Sequence, residues 1–276
     1  MFKIKGNFNT FRPLFLNITD ADFKKKIDAL YDLAENCQLC PRRCGAKRLN
    51  GEKGLCGGED KLKIASINLH FGEEPPISGK TGSGTVFFSG CSLKCKFCQN
   101  YPISRYCIGI YFDTAEFAEK MVKLQEKGAN NINLVTSAHY MHLVAESIFL
   151  AKKMGLKIPI VYNSSGYEDE KLLVLLKDLI DIYLPDIIRH LVLPKGISGY
   201  QDSFKFIAEK LDINVPVSIM SQYFPAYKAK YDNTISTPIT NEEYLAAVES
   251  LINNNLTGFF QNDKYFDEDL ADINNT

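Results

Sequence analysis

The alternation of strand-like and helix-like runs over residues 85–255 constrains the fold more than any other feature of this sequence. Short β-rich runs at 86–90 (VFFSG), 132–137 (INLVTS) and 158–165 (IPIVYNSS) are separated by segments with apolar residues at helical spacing. Such alternation predicts parallel strands with helices outside them. In an α/β barrel the functional groups lie at the carboxyl ends of the strands. The sequence therefore predicts an α/β domain whose site follows these runs.

The remaining runs extend this pattern on both sides. We expect further strands at 180–186, 187–194 and 215–223, and helices near 114–127, 142–154, 168–177, 200–211 and 241–252. Before the barrel, residues 20–35 have apolar side chains at a spacing of three and four, which predicts an amphipathic helix capped by Thr19 or Asp20.

Three cysteines follow the first of these strands. Cys91, Cys95 and Cys98 have CxxxCxxC spacing in the run GTVFFSGCSLKCKFCQN. Thiolates hold iron–sulfur clusters, and three of them leave one iron of a four-iron cluster open for a substrate or cofactor. The alternatives are a zinc knuckle, which would need a fourth ligand, or three buried thiols. The spacing favours a [4Fe–4S] cluster with one open corner.

This motif, with Phe97 just before its last cysteine, resembles the signature of the radical S-adenosylmethionine (SAM) superfamily. The resemblance implies a partial barrel of six βα units, (βα)6, in which Cys91, Cys95 and Cys98 hold a [4Fe–4S] cluster. It also implies that SAM fills the open corner, that an electron cleaves SAM, and that the resulting radical removes hydrogen from a substrate. The expected partner is an electron donor such as flavodoxin or ferredoxin.

Other segments narrow the resemblance. Seven segments, which together span residues 30–255, are similar to proteins described as like pyruvate formate-lyase activating enzyme. These segments are CxxCPRRCG, HFGEEPPISGKTGSGTVFFSGC, INLVTSAHY, IVYNSSGY, DIYLPD, RHLVLP and QYFPAYKAK. This likeness implies an oxidoreductase or activase-like enzyme, with a protein as one candidate substrate. True activating enzymes hold the SAM amino group with two glycines and a glutamate, where this chain has Ser137, Ala138 and His139. These residues therefore do not themselves imply glycyl-radical activation.

A second departure follows Asp186. The run DIYLPD continues directly into IIRHLVLP, whereas the resembling proteins have a helical segment between these strands. A parallel crossover takes about a dozen residues or more, and none are available here. We expect one bent strand with a kink near Pro185, or a displaced later run, and hence a barrel disrupted between its fourth and fifth strands. The missing segment also removes a lysine that the resemblance associates with cation binding.

Four more cysteines lie near the amino terminus. Cys37, Cys40, Cys44 and Cys56 are found in CQLCPRRCGAKRLNGEKGLC, and four thiolates suit either zinc or a second iron–sulfur cluster. A fully ligated site has no open corner, so we expect a structural or electron-relay role. Four independent thiols are the alternative. Cys107 stands alone and is expected to be a small buried apolar residue.

Polar residues follow several strands where a barrel would place its site. The candidates for SAM or substrate contacts are Ser137, His139, Asn163, Ser165 and Arg189. A lone polar residue at a strand end is more often a helix cap or a surface group, which is the alternative for each. His139 ranks above His142, because His142 begins a helix and can be a first-turn residue.

Composition narrows the location and the partners. With 24% charged residues and a formal net charge of −1, the chain shows no sign of binding nucleic acid or an anionic membrane. No apolar stretch approaches the roughly 18 residues of a spanning helix, and no secretory signal is recognisable. We expect a cytoplasmic protein whose clustered cysteines bind metal rather than form disulfides.

The sequence predicts three parts. These are an amino-terminal helix with a small cysteine-rich metal-binding extension (1–84), the partial barrel (85–255) and a mobile tail (256–276). The predicted function is that of a radical SAM enzyme that cleaves SAM reductively at a [4Fe–4S] cluster to abstract hydrogen. The alternative is a catalytically impaired iron–sulfur or zinc-binding protein, because the missing segment interrupts the barrel.

Overall fold

The protein is described here by a computed structural model that covers residues 12–184, 187–211 and 213–260. Its residues group into two compact units, and the boundary between them in the sequence follows Leu184. The predicted division at residue 84 stays a prediction. Pro185 and Asp186, and with them the expected kink, lie outside the described residues.

The first unit contains six α-helices and six strands. Its helices are α1 (Asp20–Glu35), α2 (Pro75–Ser78), α3 (Tyr101–Ser104), α4 (Thr114–Glu126), α5 (Met141–Lys153) and α6 (Glu170–Leu176). Its strands are β1 (Leu62–His70), β2 (Ser83–Phe88), β3 (Ile110–Phe112), β4 (Ile132–Val135), β5 (Ile160–Asn163) and β6 (Ile182–Tyr183).

These six strands form one mixed sheet in the order β3-β1-β2-β4-β5-β6. Strands β2, β4, β5 and β6 run parallel, as the alternating sequence pattern predicts. Strands β1 and β3 extend the sheet in antiparallel pairing beyond β2. No strand was predicted from the sequence at 62–70 or at 110–112. The finding is therefore a mixed α/β sheet, with its parallel half in the region of the predicted barrel.

Helices α1, α4 and α6 begin where a side chain caps their free N–H groups. Thr19 precedes α1, and its Oγ1 accepts the N–H of Asp22 at 3.2 Å, which confirms the predicted start of that helix. Asp113 and Glu116 form a reciprocal capping box at the start of α4. Phe23 of α1 packs against Phe149 of α5 with ring centroids 5.3 Å apart. Helix α1 thus covers the helical face of the first unit with its apolar side.

The second unit contains a smaller sheet. Strands β7 (Ile188–Leu191), β8 (Val217–Met220) and β9 (Gly258–Phe260) are parallel and adjacent in that order. Helices α7 (Tyr200–Lys210) and α8 (Asn241–Asn253) lie between them in sequence. Strand β9 falls at the beginning of the predicted mobile tail, so residues 258–260 are a correction to that prediction. Residues 261–276 lie outside the described residues.

Strands β6 and β7 belong to different sheets. The former ends the six-stranded sheet beside β5, and the latter pairs with β8. The two strands are not hydrogen-bonded neighbours, in keeping with a chain too short between them for a parallel crossover. The partial barrel expected from the resemblance stays a prediction.

In the described part of the chain, none of the helices is both long enough and apolar enough to cross a bilayer.

Candidate functional site

The carboxyl ends of three parallel strands meet at one edge of the larger sheet. Phe87 of β2 pairs with Val135 of β4, which pairs with Asn163 of β5. The segment after β2 carries the three motif cysteines, and the segments after β4 and β5 carry predicted contact residues. The sheet therefore brings these three loops to the same edge, as parallel topology requires.

The segment after β2, residues 89–100, is here called the trio loop because it holds Cys91, Cys95 and Cys98. Its first residues are fixed by main-chain bonds: the N–H of Cys91 donates to the carbonyl of Cys56 at 3.0 Å, and the N–H of Gly90 donates to that of Ile103 at 3.0 Å. Gly90 has a φ of +86°, and a Cβ there would lie 2.6 Å from the Cys56 oxygen. Only glycine fits both the conformation and the space.

Two arginines hold the rest of the trio loop by its carbonyl groups. Arg42 donates from Nε to the carbonyl of Ser92 and from Nη2 to that of Leu93, the latter at 3.3 Å. Arg105 donates from Nη2 to the carbonyls of Lys94 and Cys95, the latter at 2.9 Å. These hydrogen bonds hold the loop through its carbonyl groups and do not involve the cysteine sulfur atoms.

The three thiols of the trio loop are partly exposed. Burial raises the pKa of the Cys95 thiol, and the neighbouring Cys91 and Cys98 thiols raise it further. The Cys98 sulfur lies 3.1 Å from the hydroxyl of Ser104. Three partly exposed thiols are accessible to a metal cluster and to a cofactor.

Accessible thiols do not by themselves form a metal site, because the ligand side chains must also point to a common centre. Within residues 12–184, 187–211 and 213–260, no three or more Cys, His, Asp or Glu side chains are already arranged to hold a metal ion. The chemistry of the donor set nevertheless fits a cluster, because thiolates are its ligands and the three thiols are partly exposed.

His139 contacts the start of the trio loop, and Ser137 lies two residues before His139 in the chain. His139 is about 1% exposed, and its Nε2 donates to the carbonyl of Ser89 at 2.9 Å. Burial lowers the pKa of His139 to about 4, so the ring is neutral near pH 7. Ser137 is fully buried and its hydroxyl donates to the sulfur of Met141 at 3.4 Å. Both side chains contact protein atoms, and contact with SAM stays a prediction for them.

Asn163 and Ser165 follow β5 and are half-buried at the same edge. The carbonyl of Asn163 accepts the N–H of Thr136 at 3.0 Å, which joins the loops after β4 and β5. Arg189 lies in β7 of the second unit. The first unit thus brings four of the five predicted contact residues to the edge that carries the trio loop.

His142 matches its expected place in the first turn of α5. It is fully buried and packs edge-on against Tyr31, with ring centroids 5.2 Å apart. Burial lowers its pKa to about 3. The ranking of His139 above His142 as a contact residue has no test in this structure.

The second cysteine group lies in residues 36–61, here called the cysteine lobe. Cys37, Cys40 and Cys56 are buried and Cys44 is partly buried. Cys107, expected to be buried, is instead partly exposed, because it occupies a tight turn with a φ of +50°. The lobe contacts the trio loop directly through the Cys56 carbonyl and through Arg42, as described above.

The thiols of the cysteine lobe share one electrostatic environment. Burial raises the pKa of Cys56 to about 11 and raises the pKa values of Cys37 and Cys40, while the Arg48 charge opposes the rise at Cys56 and Cys37. At Cys44, burial also raises the pKa, but backbone N–H groups, the Cys37 thiol and Arg48 outweigh it and lower the pKa overall.

Three arginines at these sites were missed by the sequence analysis. Arg42 and Arg105 hold the trio loop, and Arg48 is buried in the cysteine lobe. The CPRRC run places Arg42 between two cysteines, a signal that could have marked it as a residue of the site. For Arg105 and Arg48 the sequence offers no signal, because arginine is ordinarily read as exposed.

Comparison with known proteins agrees with this geometry. Residues 85–192 match the family model described as Radical SAM superfamily. The uncharacterized protein MJ0674 of Methanocaldococcus jannaschii is 30% identical over 292 aligned positions, which cover 88% of this chain and 81% of that protein. The uncharacterized protein MJ0808 of the same organism is 28% identical over 100 positions, which cover 32% of this chain and 28% of that protein.

The alignment with MJ0674 is longer than the 276 residues of this chain. That relative therefore has residues within the aligned span that this chain lacks, and a missing segment after Asp186 stays a prediction. The family match itself includes the trio loop together with strands β4 and β5. From the family match and the extent of the similarity to MJ0674, the chain belongs to the radical SAM superfamily.

Proposed function

We propose that this protein cleaves SAM reductively at a [4Fe–4S] cluster held by Cys91, Cys95 and Cys98, and that the resulting radical abstracts hydrogen from a substrate. The observation that carries the proposal is the placement of three accessible thiols at the carboxyl edge of the parallel strands, next to the loops after β4 and β5. When bound, such a cluster supplies the electron that breaks a carbon–sulfur bond of SAM.

The chain's own residues position and shield the site. Arg42 and Arg105 fix the carbonyl groups of the trio loop, so that its thiols keep their spacing. His139 supports the start of the loop by donating to Ser89 as a neutral ring. Because its pKa lies far below 7, this ring adds no positive charge beside the loop. These contacts make His139 a positioning residue in the proposal.

Contacts with SAM are assigned to the loops after β4 and β5. Asn163 and Ser165 are half-buried at the edge and offer an amide and a hydroxyl, which suit the amino, carboxylate and ribose groups of SAM. Ser137 and Arg189 complete the set taken from the sequence. An oxidoreductase or activase-like reaction would in addition need an electron donor, for which flavodoxin or ferredoxin is suitable, and a protein is one candidate substrate.

One observation favours a second candidate function. Strands β6 and β7 belong to different sheets, and among the described residues the sheet that carries the trio loop ends at the two-residue strand β6. A protein of this kind could bind a cluster or zinc without turning over SAM. This second candidate is a catalytically impaired metal-binding protein.

The test is anaerobic reconstitution with iron and sulfide, reduction with dithionite and addition of SAM, with 5′-deoxyadenosine measured by chromatography. The first candidate predicts product that requires each of the three trio cysteines. An intact cluster without product supports the second candidate and refutes the first. Zinc without sulfide would refute the iron–sulfur assignment.

A further inference from the structure

Each thiol of the cysteine lobe receives a backbone N–H. An N–H two residues after the cysteine lowers the pKa of each thiol, from Leu39 for Cys37, Arg42 for Cys40, Ala46 for Cys44 and Gly58 for Cys56; Arg43 also acts on Cys40 and Leu55 on Cys44. The N–H of Gly58 lies 3.3 Å from its sulfur. Hydrogen bonds from the main chain to sulfur stabilise a thiolate and tune a metal bound to it. One repeated local geometry therefore serves four sulfur atoms.

A buried cation in the same lobe acts on three of these four sulfurs, those of Cys37, Cys44 and Cys56. Arg48 is 0% exposed, and its Nε and Nη1 have no hydrogen-bond partner among the described residues. Its Nη2 donates to the carbonyl of Glu59 at 2.6 Å, and its guanidinium lies 5.7 Å from the centre of the Tyr140 ring. Neither contact neutralises the charge. In the described part of the chain, no carboxylate forms an ion pair with this arginine.

The guanidinium faces the same turn as a cysteine sulfur. A Cβ built on Gly54 would lie 3.3 Å from the sulfur of Cys56 and 3.6 Å from Nη1 of Arg48. A Cβ on Gly58 would lie 2.7 Å from Nη2, so glycine at these two positions leaves room for the buried cation. The charge of Arg48 also acts on the Cys37 and Cys44 thiols. The unpartnered Nη1 of Arg48 thus lies in the same turn as the Cys56 thiol.

A buried unpaired charge destabilises a fold unless an opposite charge offsets it. We propose that Cys37, Cys40, Cys44 and Cys56 together bind one metal centre as thiolates, and that Arg48 is the buried counter-charge of this centre. Four thiolates around Zn²⁺, or around a doubly positive [4Fe–4S] cluster, leave two net negative charges. Either centre therefore carries the negative charge that would offset the positive charge of Arg48. This inference does not depend on the proposed reaction with SAM.

The first test uses the variant C91A/C95A/C98A, which leaves only the cysteine lobe to bind metal. Separate samples are loaded with zinc alone or with iron and sulfide, and their metal and sulfide contents are measured. We expect either about one zinc or about four irons with about four sulfides per chain. The two arms identify the centre. Because the trio is absent, failure of the proposed SAM chemistry does not affect this result.

Two further variants show where that metal binds. Adding C37A and C56A to C91A/C95A/C98A should abolish the retained metal, whereas adding C107A should leave it unchanged, because Cys107 lies outside the group of four. A folded C91A/C95A/C98A protein without bound metal in either arm would overturn the proposal. So would metal that persists after Cys37 and Cys56 are replaced.

The second test concerns the counter-charge. Arg48→Met keeps an unbranched side chain but removes the charge, and Arg48→Lys keeps the charge. In the Met variant we expect metal affinity, measured by chelator competition, to fall about tenfold or more, within the range of neighbours that support metal ligands. The Lys variant should lie between it and the unchanged residue.

Thermal unfolding separates a counter-charge from an ordinary buried residue. Without metal, Arg48→Met should unfold at the same or a higher temperature, because it removes an unpaired buried charge. With metal, the same variant should unfold at a lower temperature. Equal destabilisation in both states would assign Arg48 a purely structural role and overturn this part of the proposal. If the Met variant does not fold, the metal content of C91A/C95A/C98A still decides the site.

Discussion

The trio loop and the cysteine lobe use the same side chain in opposite ways. In the lobe, three of four thiols are buried and every sulfur receives a main-chain N–H. In the trio loop, the thiols are partly exposed, and Arg42 and Arg105 hold the loop by its carbonyl groups. An enclosed set of four ligands suits a centre without an open position, whereas an accessible set of three suits a centre that must receive a cofactor. Accessibility is the physical difference between them.

The largest expected effect comes from removing a ligand of the open site. Cys95→Ala should reduce 5′-deoxyadenosine formation to background, because it removes one of the three thiolates proposed to hold the cluster. Cys107→Ala is the matched control, since that cysteine is also partly exposed but lies outside both groups. Product formation by the reconstituted proteins measures the effect. Equal activity of the two variants would remove the trio from the reaction.

The contact between the two regions can be broken at Gly90. Gly90→Ala should lower the free energy of unfolding by about 1–2 kcal/mol for its backbone conformation. The clash of the new Cβ with the Cys56 carbonyl should add about 1–3 kcal/mol. Gly128→Ala is the control, because its φ is +90° but its Cβ would meet nothing within 4 Å. Denaturant unfolding of the two variants isolates the clash. Equal losses would mean that the lobe and the loop do not press on each other at this point.

Neighbouring arginines of the lobe allow a finer comparison. Arg42→Met should reduce cluster retention in the trio loop about tenfold, because it releases the carbonyls of Ser92 and Leu93. Arg43→Met removes the same charge one residue later, but Arg43 pairs with Asp169 at 2.8 Å and does not hold the loop. Iron content during exposure to a chelator is the measurement. Similar iron loss in both variants would show that charge, rather than the hold on the loop, matters.

The smallest effect is expected from His139 and appears only on acidification. Burial lowers its pKa from 6.5 to about 4, so the unfolded chain binds a proton more readily than the folded chain between these values. Stability is complete above about pH 6.5 and falls as the pH decreases through this window, by about 1.4 kcal/mol per pH unit. His139→Gln keeps a donor for Ser89 but does not titrate. Urea unfolding of its metal-free form should therefore show a shallower acid dependence; an unchanged slope would contradict the assignment.

Sequence patterns predicted the helices and strands that are determined by the spacing and capping of neighbouring residues. The apolar spacing of α1 and the cap at Thr19 predicted its limits, and the strand before the trio was recognised from its apolar run. Strands β3 and β9 were missed because each has three residues, too few to show a period of two. Strand β1 was missed although it has nine residues, since only its pairing with β2 defines it.

The site divides in the same way. Cysteine spacing indicated both groups because ligand spacing is a local property of the chain. The burial of Arg48 depends on the folding of the whole lobe around it, with Gly54 and Gly58 leaving space for its guanidinium. The hold of Arg105 on the trio loop depends on the turn that follows α3, which brings the guanidinium back to the carbonyl of Cys95. Such contacts follow from tertiary structure and have no sequence period.

The most direct test of the difference between the two regions is the electron paramagnetic resonance spectrum of the reduced protein before and after SAM is added. The unchanged chain and C91A/C95A/C98A are compared after the same anaerobic reconstitution. We expect SAM to alter the spectrum of the unchanged chain and to leave that of the variant as it was, because only the trio has an open position. A spectrum of the unchanged chain that SAM does not alter, or an effect of SAM that persists in the variant, would contradict the account.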